Sequence, residues 1–344
     1  MVALQYPYLI LVNSLIPALL AGNTVIIKPS PQTPTIAEQI QSIFVEAGLP
    51  ENVIQYFHCG SITRLEGIIR SPQIKLICFT GSVTGGLQVQ KVAADRVVPV
   101  GLELGGKDPA YVRADVDVKW AAEEIVDGAI FNSGQSCCSI ERVYVAESIH
   151  DNFVAAVQDV LKGYKLGDPL DLKTNVGPVV SKRSAETIRS HISDAIKKGA
   201  KDVTPENESF ATPPKDGNYV KPTLLTEVTH DMTVMNEETF GPVIPIMSVG
   251  NDDEAVRLMN DSEFGLTASV WTKDIARGAD LADQVEAGTV FVNRADYPSP
   301  VSCRSLPAAR SEGPVGSVTD ADTGSRMDWV EGFRQGRHTE QIRI

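Results

Sequence analysis

The stretch TVIIKPSPQTPTIAEQIQSIFVEAGLPENVIQYF, from Thr24 to Phe57, carries the pattern that decides the fold. Two short runs rich in β-branched residues, TVII and VIQYF, have the length of buried strands. Between them, residues 33–48 place their apolar side chains on one helical face, and Gly48 and Pro50 end that segment. A strand, a helix and a second strand in this order predict a βαβ unit with parallel strands.

The same alternation continues along the chain. Strand candidates at 74–79 and 97–104 extend a parallel Rossmann-type sheet, which would bind its ligand at the carboxyl ends of the strands. After Gly105 a second α/β unit begins. Its predicted helices cover 117–131, 149–162, 182–198, 251–261 and 274–286, and its predicted strands include 141–146, 242–249, 267–272 and 288–293.

These patterns divide the chain into a first α/β domain at 1–104 and a second domain at 105–298. The remaining residues, 299–344, contain six Arg and no Lys and lack a sustained apolar period, which predicts a poorly ordered tail. Residues 203–222 are polar and rich in Pro and Asn, so we expect a surface excursion there.

An apolar run near the amino terminus, residues 8–22, needs a separate interpretation. No Lys or Arg precedes Lys28, so the basic flank of a signal peptide is missing. Asn13, Ser14 and Pro17 interrupt the run, and it is too short to cross a bilayer comfortably. We therefore expect buried core and no membrane association.

Composition limits the classes of partner. The 344 residues carry a net charge of −13 at pH 7, with 42% hydrophobic and 22% charged residues, as in globular proteins. An acidic surface repels phosphate backbones, so we expect no nucleic-acid partner. The five cysteines are few and odd in number, which argues against a disulfide framework and predicts a reducing, cytoplasmic location.

Two adjacent thiols stand in FNSGQSCCS, Phe131 to Ser139, after a predicted helix. Gly134 permits a close backbone approach or an unusual turn, and a thiolate is a strong nucleophile once neighbouring dipoles favour it. Cys137 and Cys138 are therefore candidates for covalent catalysis. The alternative is that both are small core residues, as cysteines outside disulfides usually are.

A carboxylate ends a predicted strand in GLELGGKDP, Gly101 to Pro109. Glu103 lies between two leucines, where partial desolvation would suit a general base. The carboxyl end of a parallel strand also borders the ligand crevice. A structural glutamate paired with a nearby lysine is the alternative.

Three further segments suit nucleotide contacts. FTGSVTGG, Phe79 to Gly86, lies at a predicted strand-to-helix junction where backbone N–H groups could meet a phosphate, although its spacing differs from GxGxxG. Lys28 ends a predicted strand in TVIIKPS, where the alternative is a solvated lysine. Paired carboxylates in NEETFGPV, Asn236 to Val243, would suit hydroxyl recognition or would form an ordinary acidic loop.

Metal and serine-hydrolase chemistry lack their usual patterns. The five histidines are dispersed and no CxxC occurs, so we expect no metal site. No GxSxG occurs either, which argues against a Ser-His-Asp hydrolase.

In order, IIKPS, FTGS, LELGGKDP, FNSGQSCC and EETFGPV resemble the NAD(P)-dependent aldehyde dehydrogenase family. The resemblance extends from about Tyr6 to Asn293, and its glutamate and cysteine motifs are highly specific. It implies an aldehyde dehydrogenase-like α/β fold, in which 1–104 is a partial dinucleotide-binding domain with a parallel Rossmann-type cofactor sheet and 105–298 is an α/β catalytic domain that carries the thiol. It also implies an NAD(P)+ cofactor and an aldehyde substrate that is oxidised to a carboxylic acid.

The resemblance assigns roles to individual residues. Cys137 matches the family nucleophile, with Cys138 as a bystander, and Glu103 matches the general base. The cofactor-binding positions lie at the adenosine ribose (Lys28, with Ser30 in the same motif), at the pyrophosphate (Gly81, Ser82, Gly86) and at the nicotinamide ribose (Glu238, Phe240).

Two positions depart from the family pattern. In LQYPYL, the family has Asn where Gln5 stands, and that amide serves the oxyanion. The extra methylene would displace the amide by about 1 Å, which can cost around a hundredfold in rate. Pro31 stands where NAD-preferring relatives often carry Glu, and it neither holds a 2′-hydroxyl nor repels a 2′-phosphate. We expect NAD first, with NADP as the alternative.

Both ends of the chain depart as well. Relatives are usually longer at the amino terminus, so early cofactor-domain elements and part of an oligomerisation hairpin would be missing. After NRADYP, residues 293–298, the expected PFGG and SGRG-type segments are absent, and an Arg-rich tail follows, as a reading-frame change or altered splicing would produce. Relatives form homo-oligomers, an expectation that we do not extend to this chain.

Three other functions stay open on the sequence. One is a truncated, inactive relative that acts at most as a binding protein. Another is an acyl-phosphate or acyl-CoA reductase, which forms a thioester without activating water, and Glu103 argues against it. The third is a thiol hydrolase without nicotinamide. The motifs do not identify the aldehyde.

Overall fold

The computed structural model describes residues 6–211 and 217–295. Gln5 and the predicted tail at 299–344 therefore lie outside the described residues. The described chain forms two compact units, the first ending at Leu104 and the second beginning at Gly105.

The first unit contains two pairs of parallel strands. β1 (Val25–Ile27) pairs with β2 (Ile54–Tyr56), and β3 (Ile77–Thr80) pairs with β4 (Val100–Glu103). In the described residues these short strands pair two by two rather than as one four-stranded sheet. The predicted βαβ unit is confirmed. The helices of this unit are α1 (Pro7–Leu20), α2 (Thr35–Glu46), α3 (Ile62–Arg70) and α4 (Val83–Ala93).

The apolar run at 8–22 forms helix α1. Leu11 and Leu15, one turn apart, are buried, whereas Ile16 and Leu20 are exposed. The expectation of buried core is therefore correct for one face of this helix and wrong for the other, because a surface helix buries only a stripe. In the described residues, no helix is both long and apolar enough to cross a membrane.

The second unit is built on a seven-stranded sheet. Its strands are β5 (Asp108–Val112), β6 (Ile140–Ala146), β7 (Lys201–Asp202), β8 (Thr223–Thr226), β9 (Val243–Val249), β10 (Thr267–Trp271) and β11 (Thr289–Val292). They lie in the order β11-β10-β5-β6-β9-β8-β7, and all neighbours are parallel except β7 with β8. The helices are α5 (Val118–Ile130), α6 (His150–Lys162), α7 (Lys182–Lys197), α8 (Glu208–Ala211), α9 (Thr233–Asn236), α10 (Asp252–Asn260) and α11 (Ile275–Ala282).

Three expectations for this unit need correction. The sequence analysis did not predict β5, although all five of its residues are buried, because a strand beginning Asp-Pro looks like a turn. The stretch 203–222 is not wholly a surface excursion, since Phe210 and Val220 are buried in the core. In addition, α11 ends at Ala282 and not near 286.

Apolar clusters form on both faces of this sheet. Successive residues of β6 point to opposite faces, so Val143 and Val145 join one cluster and Tyr144 joins the other. Residues of α5 and α6 contribute to the first cluster, and residues of α7 and α10 to the second. Helices on both faces are the arrangement expected of a mainly parallel sheet.

The candidate residues occupy opposite strand ends in the two units. In the first unit, Lys28 follows β1, Gly81 follows β3, and Glu103 is the last residue of β4. In the second unit, Cys137 precedes β6 and Glu238 precedes β9. Because β5, β6 and β9 are parallel neighbours, the segments before them meet at one edge of the sheet.

Core packing predicts a contrast between two leucines. Leu161 on α6 is 0% exposed, whereas Leu172 in the following loop is 104% exposed. We expect Leu161→Ala to lower the free energy of unfolding by about 2–5 kcal/mol, because it leaves a cavity in the core. Leu172→Ala should change it by less than about 0.5 kcal/mol. Urea denaturation of both variants measures the difference, and equal losses would contradict the packing described.

Candidate active site

The segment that carries Cys137 follows an abrupt turn at the end of α5. Three consecutive residues adopt left-handed backbone there: Asn132 (φ 54°), Ser133 (φ 60°) and Gly134 (φ 70°). The Ser133 hydroxyl donates to the carbonyl of Gly177 (3.0 Å) and accepts from its N–H (3.1 Å). These contacts hold a backbone that L-residues rarely adopt and direct the chain toward the start of β6.

Gln135 anchors the next step of the turn. Its side-chain oxygen accepts a hydrogen bond from the backbone N–H of Val180 at 2.8 Å, and its amide nitrogen donates to the Asn132 carbonyl at 3.1 Å. The buried Gln135 thus joins the turn to the chain before α7. The neighbouring cysteines sit on a fixed backbone.

Both cysteines of this segment are half-buried. The sulfur atoms of Cys137 and Cys138 are 3.8 Å apart, well beyond the S–S bond length of about 2.05 Å. Neither is among the fully buried residues, so the alternative of two small core residues does not describe their setting. A half-buried thiol at a turn remains suited to nucleophilic chemistry.

Two glycines bring other segments against this turn. A Cβ on Gly106 would overlap the Cys137 carbonyl oxygen, and a Cβ on Gly105 would overlap the Glu238 carboxylate. The Gly106 N–H also donates to Glu238 Oε1 at 3.2 Å. The structure thus brings Cys137 and Glu238 to the same pair of glycines. A residue with a side chain at Gly105 would displace Glu238, and one at Gly106 would displace Cys137.

A third glycine joins the cysteine turn to the segment that follows Glu238. A Cβ on Gly134 would overlap the Gly241 carbonyl, so the two backbones are in direct contact. Gly241 has no room for a side chain either, because Ile188 of α7 lies against it. The sequence pattern allowed Gly134 a close backbone approach or an unusual turn, and the structure shows both.

Beneath the site lies a buried ion pair that the sequence analysis missed. The Lys107 ammonium donates to Glu141 Oε2 at 2.6 Å, and the two side chains are 0% and 3% exposed. Glu141 also accepts from the backbone N–H groups of Thr239 (2.7 Å) and Phe240 (2.8 Å). A glutamate and an arginine inside the strand IERVYVA were the available signal, since charged residues in a buried strand need partners.

Electrostatics distinguish Glu238 from an ordinary acidic loop. Glu237 is exposed, but Glu238 is half-buried. Burial, followed by the neighbouring Glu141 carboxylate, raises the pKa of Glu238 to about 8. Asp108 is buried directly after Lys107, and burial raises its pKa well above the usual value. A negative charge on Cys137 would add to both shifts.

In the first unit, the predicted phosphate turn and the candidate base lie side by side. The Gly81 N–H donates to the Glu103 carbonyl at 3.0 Å. Ser82 caps α4 by accepting from the Gly85 N–H at 3.2 Å, and a Cβ on Gly86 would overlap Leu104. A capped helix amino terminus at the end of a parallel strand fits a pyrophosphate.

The remaining candidates of the first unit follow the other strand pair. Lys28 and Ser30 are half-buried just beyond β1. Burial lowers the pKa of Lys28, and the nearby Cys59 opposes that shift. In the part of the chain that the structure describes, no group of three or more His, Cys, Asp or Glu side chains could hold a metal ion.

Comparisons with known proteins agree with the motifs. The sequence model of the aldehyde dehydrogenase family matches residues 2–303. The chain is 40% identical over 289 residues to 4,4'-diapolycopene aldehyde oxidase of a Methylomonas species, covering 84% of this chain and 52% of that protein. It is 39% identical over 291 residues to human retinaldehyde dehydrogenase 3, covering 84% and 56%. The chain thus spans little more than half the length of these relatives.

Solved structures give the same result. An NADP-dependent glyceraldehyde-3-phosphate dehydrogenase from Bacillus halodurans, complexed with NADP, matches with a TM-score of 0.77 at 38% identity, over 84% of this chain and 58% of that one. A Mycobacterium tuberculosis aldehyde dehydrogenase complexed with NAD+ matches with a TM-score of 0.77 at 34% identity, over 83% and 59%. On sequence and on fold, this chain belongs to the aldehyde dehydrogenase family.

Proposed function

We propose that the protein oxidises an aldehyde to a carboxylic acid with NAD(P)+, through a covalent intermediate on Cys137. The observation that carries the proposal is the convergence of the Cys137 turn and Glu238 on Gly105 and Gly106. This convergence places a candidate nucleophile, Cys137, near a carboxylate suited to binding a ribose, Glu238, in a chain of this family. The five sparse cysteines also favour a reducing, cytoplasmic setting.

In the first step, the Cys137 thiolate attacks the aldehyde carbonyl carbon. A C–S bond forms, the carbonyl π electrons move to oxygen, and a tetrahedral thiohemiacetal results. We assign the backbone N–H of Cys137 and the side-chain amide of Gln5 as donors to this oxyanion. The longer Gln5 side chain would serve this purpose less well than the family asparagine.

In the second step, the bond between carbon and hydrogen breaks and a thioester stays on Cys137. NAD(P)+, when bound, supplies the acceptor for the departing hydride. We assign Glu103 as the base that takes a proton from water. The resulting hydroxide attacks the thioester carbon, the Cys137 thiolate leaves, and the carboxylic acid is released.

Different residues suit different parts of the cofactor. We assign the adenosine ribose to Lys28 and Ser30. The pyrophosphate is assigned to Gly81, Ser82 and Gly86, in the turn before α4. The nicotinamide ribose is assigned to Glu238 and Phe240. The capped start of α4 supports the pyrophosphate assignment. Pro31 leaves both coenzymes open, with NAD first, and the two matched structures carry NADP and NAD+ respectively.

The test of the nucleophile compares two neighbouring thiols. We expect Cys137→Ala to lower aldehyde-dependent reduction of NAD(P)+ by at least about a thousandfold, because the proposed nucleophile is then missing. Cys138→Ala should stay within a few-fold of wild type. The assay follows reduced nicotinamide with aliphatic, aromatic and acidic aldehydes. Equal activity in both variants would contradict the assignment, and no turnover by folded wild type would favour an inactive relative.

Glu103→Gln tests the base separately from the nucleophile. This variant should still form the thioester, but hydrolysis should become slow because no carboxylate takes the proton from water. We expect a burst of reduced nicotinamide close to one equivalent of enzyme, followed by a steady state about 100-fold slower or more. Release of free acid without CoA or phosphate would exclude an acyl-CoA or acyl-phosphate reductase. A variant with unchanged steady-state turnover would remove Glu103 from this role.

The raised pKa of Glu238 predicts a pH dependence of stability. Its contribution to the free energy of unfolding is full below the ordinary value of 4.5 and is lost as pH rises through about 8. Glu238→Gln stays uncharged, so its unfolding free energy relative to wild type should rise across this window and level off above it. Chemical denaturation between pH 5 and pH 9 measures the difference, with Glu237→Gln as control. A difference independent of pH would refute the shift.

A further inference from the structure

We propose that Glu141, paired with Lys107, is a positioning residue for the coenzyme, because its carboxylate holds the backbone of Thr239 and Phe240 beside Glu238. The inference rests on the proposed function, in which Glu238 and Phe240 contact the nicotinamide ribose. Glu141 lies beneath them in β6 and is almost fully buried. It acts through its neighbours and does not itself touch the coenzyme.

The contact is made with both carboxylate oxygens of Glu141. Oε2 accepts from the Thr239 N–H at 2.7 Å, and Oε1 accepts from the Phe240 N–H at 2.8 Å. Two consecutive backbone groups on one carboxylate fix both the position and the rotation of that peptide. Charge-assisted bonds of this kind are about twice as strong as neutral ones.

The backbone held in this way needs external support. Phe240 has a φ of 51°, a left-handed conformation that residues with a side chain rarely adopt. Its N–H is one of the two groups that Glu141 accepts. Without that acceptor, we expect Phe240 to relax toward ordinary backbone and to carry the adjacent Glu238 with it.

Lys107 supplies the positive charge that faces Glu141 in this buried site. Its ammonium lies 2.6 Å from Glu141 Oε2 and 3.1 Å from the Thr239 hydroxyl, which in turn lies 3.2 Å from His191 Nδ1. Lys107 therefore holds the side chain of Thr239 while Glu141 holds its main chain. Lys107 and Glu141 therefore both hydrogen-bond the loop that contains Thr239 and Phe240.

The pair also reaches Glu238 by a second route. The Gly106 N–H, one residue before Lys107, donates to Glu238 Oε1. The charged or titratable groups that face Glu238 are Glu141 and Cys137, which raise its pKa, and Lys107, which lowers it. Removing the charge of Glu141 should therefore lower the pKa of Glu238 as well as loosen its backbone.

The test compares wild type, Glu141→Gln, and the double variant Glu141→Gln with Lys107→Met. The double variant removes both charges at similar volume, so it keeps the question answerable if the single variant leaves Lys107 unpaired and does not fold. Glu237→Gln, which removes an exposed carboxylate from the same loop, is the matched control. Cooperative thermal unfolding qualifies each variant for comparison.

Two readouts separate positioning from mere stability. Hydrogen exchange of the Thr239 and Phe240 amides needs no coenzyme, and we expect it to accelerate at least about tenfold in the Glu141 variants. The Kd for NADH and NADPH, from nucleotide fluorescence, should rise about tenfold or more. The pH midpoint of binding should also move down in Glu141→Gln. Turnover at saturating coenzyme should change by less than about threefold, giving a KM effect without a kcat effect.

The outcomes distinguish this inference from the proposed function. Unchanged amide exchange in folded Glu141 variants would overturn the positioning role, whatever the activity. Faster exchange with an unchanged Kd would also overturn it, since the loop would then not govern coenzyme binding. If wild type itself binds neither nucleotide, the proposed function fails, and amide exchange alone decides whether Glu141 holds the loop.

Discussion

The second unit depends on a single buried ion pair, Lys107 with Glu141. It joins three places that are far apart in the chain: the start of β5, the start of β6 and the segment before β9. Removing one partner of such a pair costs about 3–5 kcal/mol, because the other charge is left uncompensated. Three further hydrogen bonds join the pair to Thr239 and Phe240, so it ties these segments into one arrangement.

A parallel sheet explains why these segments can meet at all. Strands β5, β6 and β9 run side by side in one direction, so the segments directly before them lie at the same edge of the sheet. The carboxyl ends of the strands in the first unit carry Lys28, the Gly81 turn and Glu103. Within each unit, the candidate residues are placed by the strand beside them.

Much of this arrangement could be predicted from local sequence. Short β-branched runs and amphipathic segments identified the βαβ unit, because strands and helices have distinct apolar periods. Ordered motifs singled out Cys137, Glu103 and Glu238 as candidates, and the structure brings Cys137 and Glu238 to one pair of glycines. The pairing of Lys107 with Glu141 was not predicted. A charged residue in a sequence is taken to be solvated, and only the fold brings these two together across 34 positions. The contacts of Gly105 and Gly106 were not predicted for the same reason, because the neighbours of a glycine depend on tertiary structure.

The contact between Gly134 and Gly241 has a mechanical consequence. Side chains between two loops usually absorb small displacements by changing rotamer, but two touching backbones have no such slack. The loop that bears Cys137 and the loop that bears Glu238 are thus in direct backbone contact. A displacement of one backbone would be passed to the other, so this contact sets the spacing between the two loops.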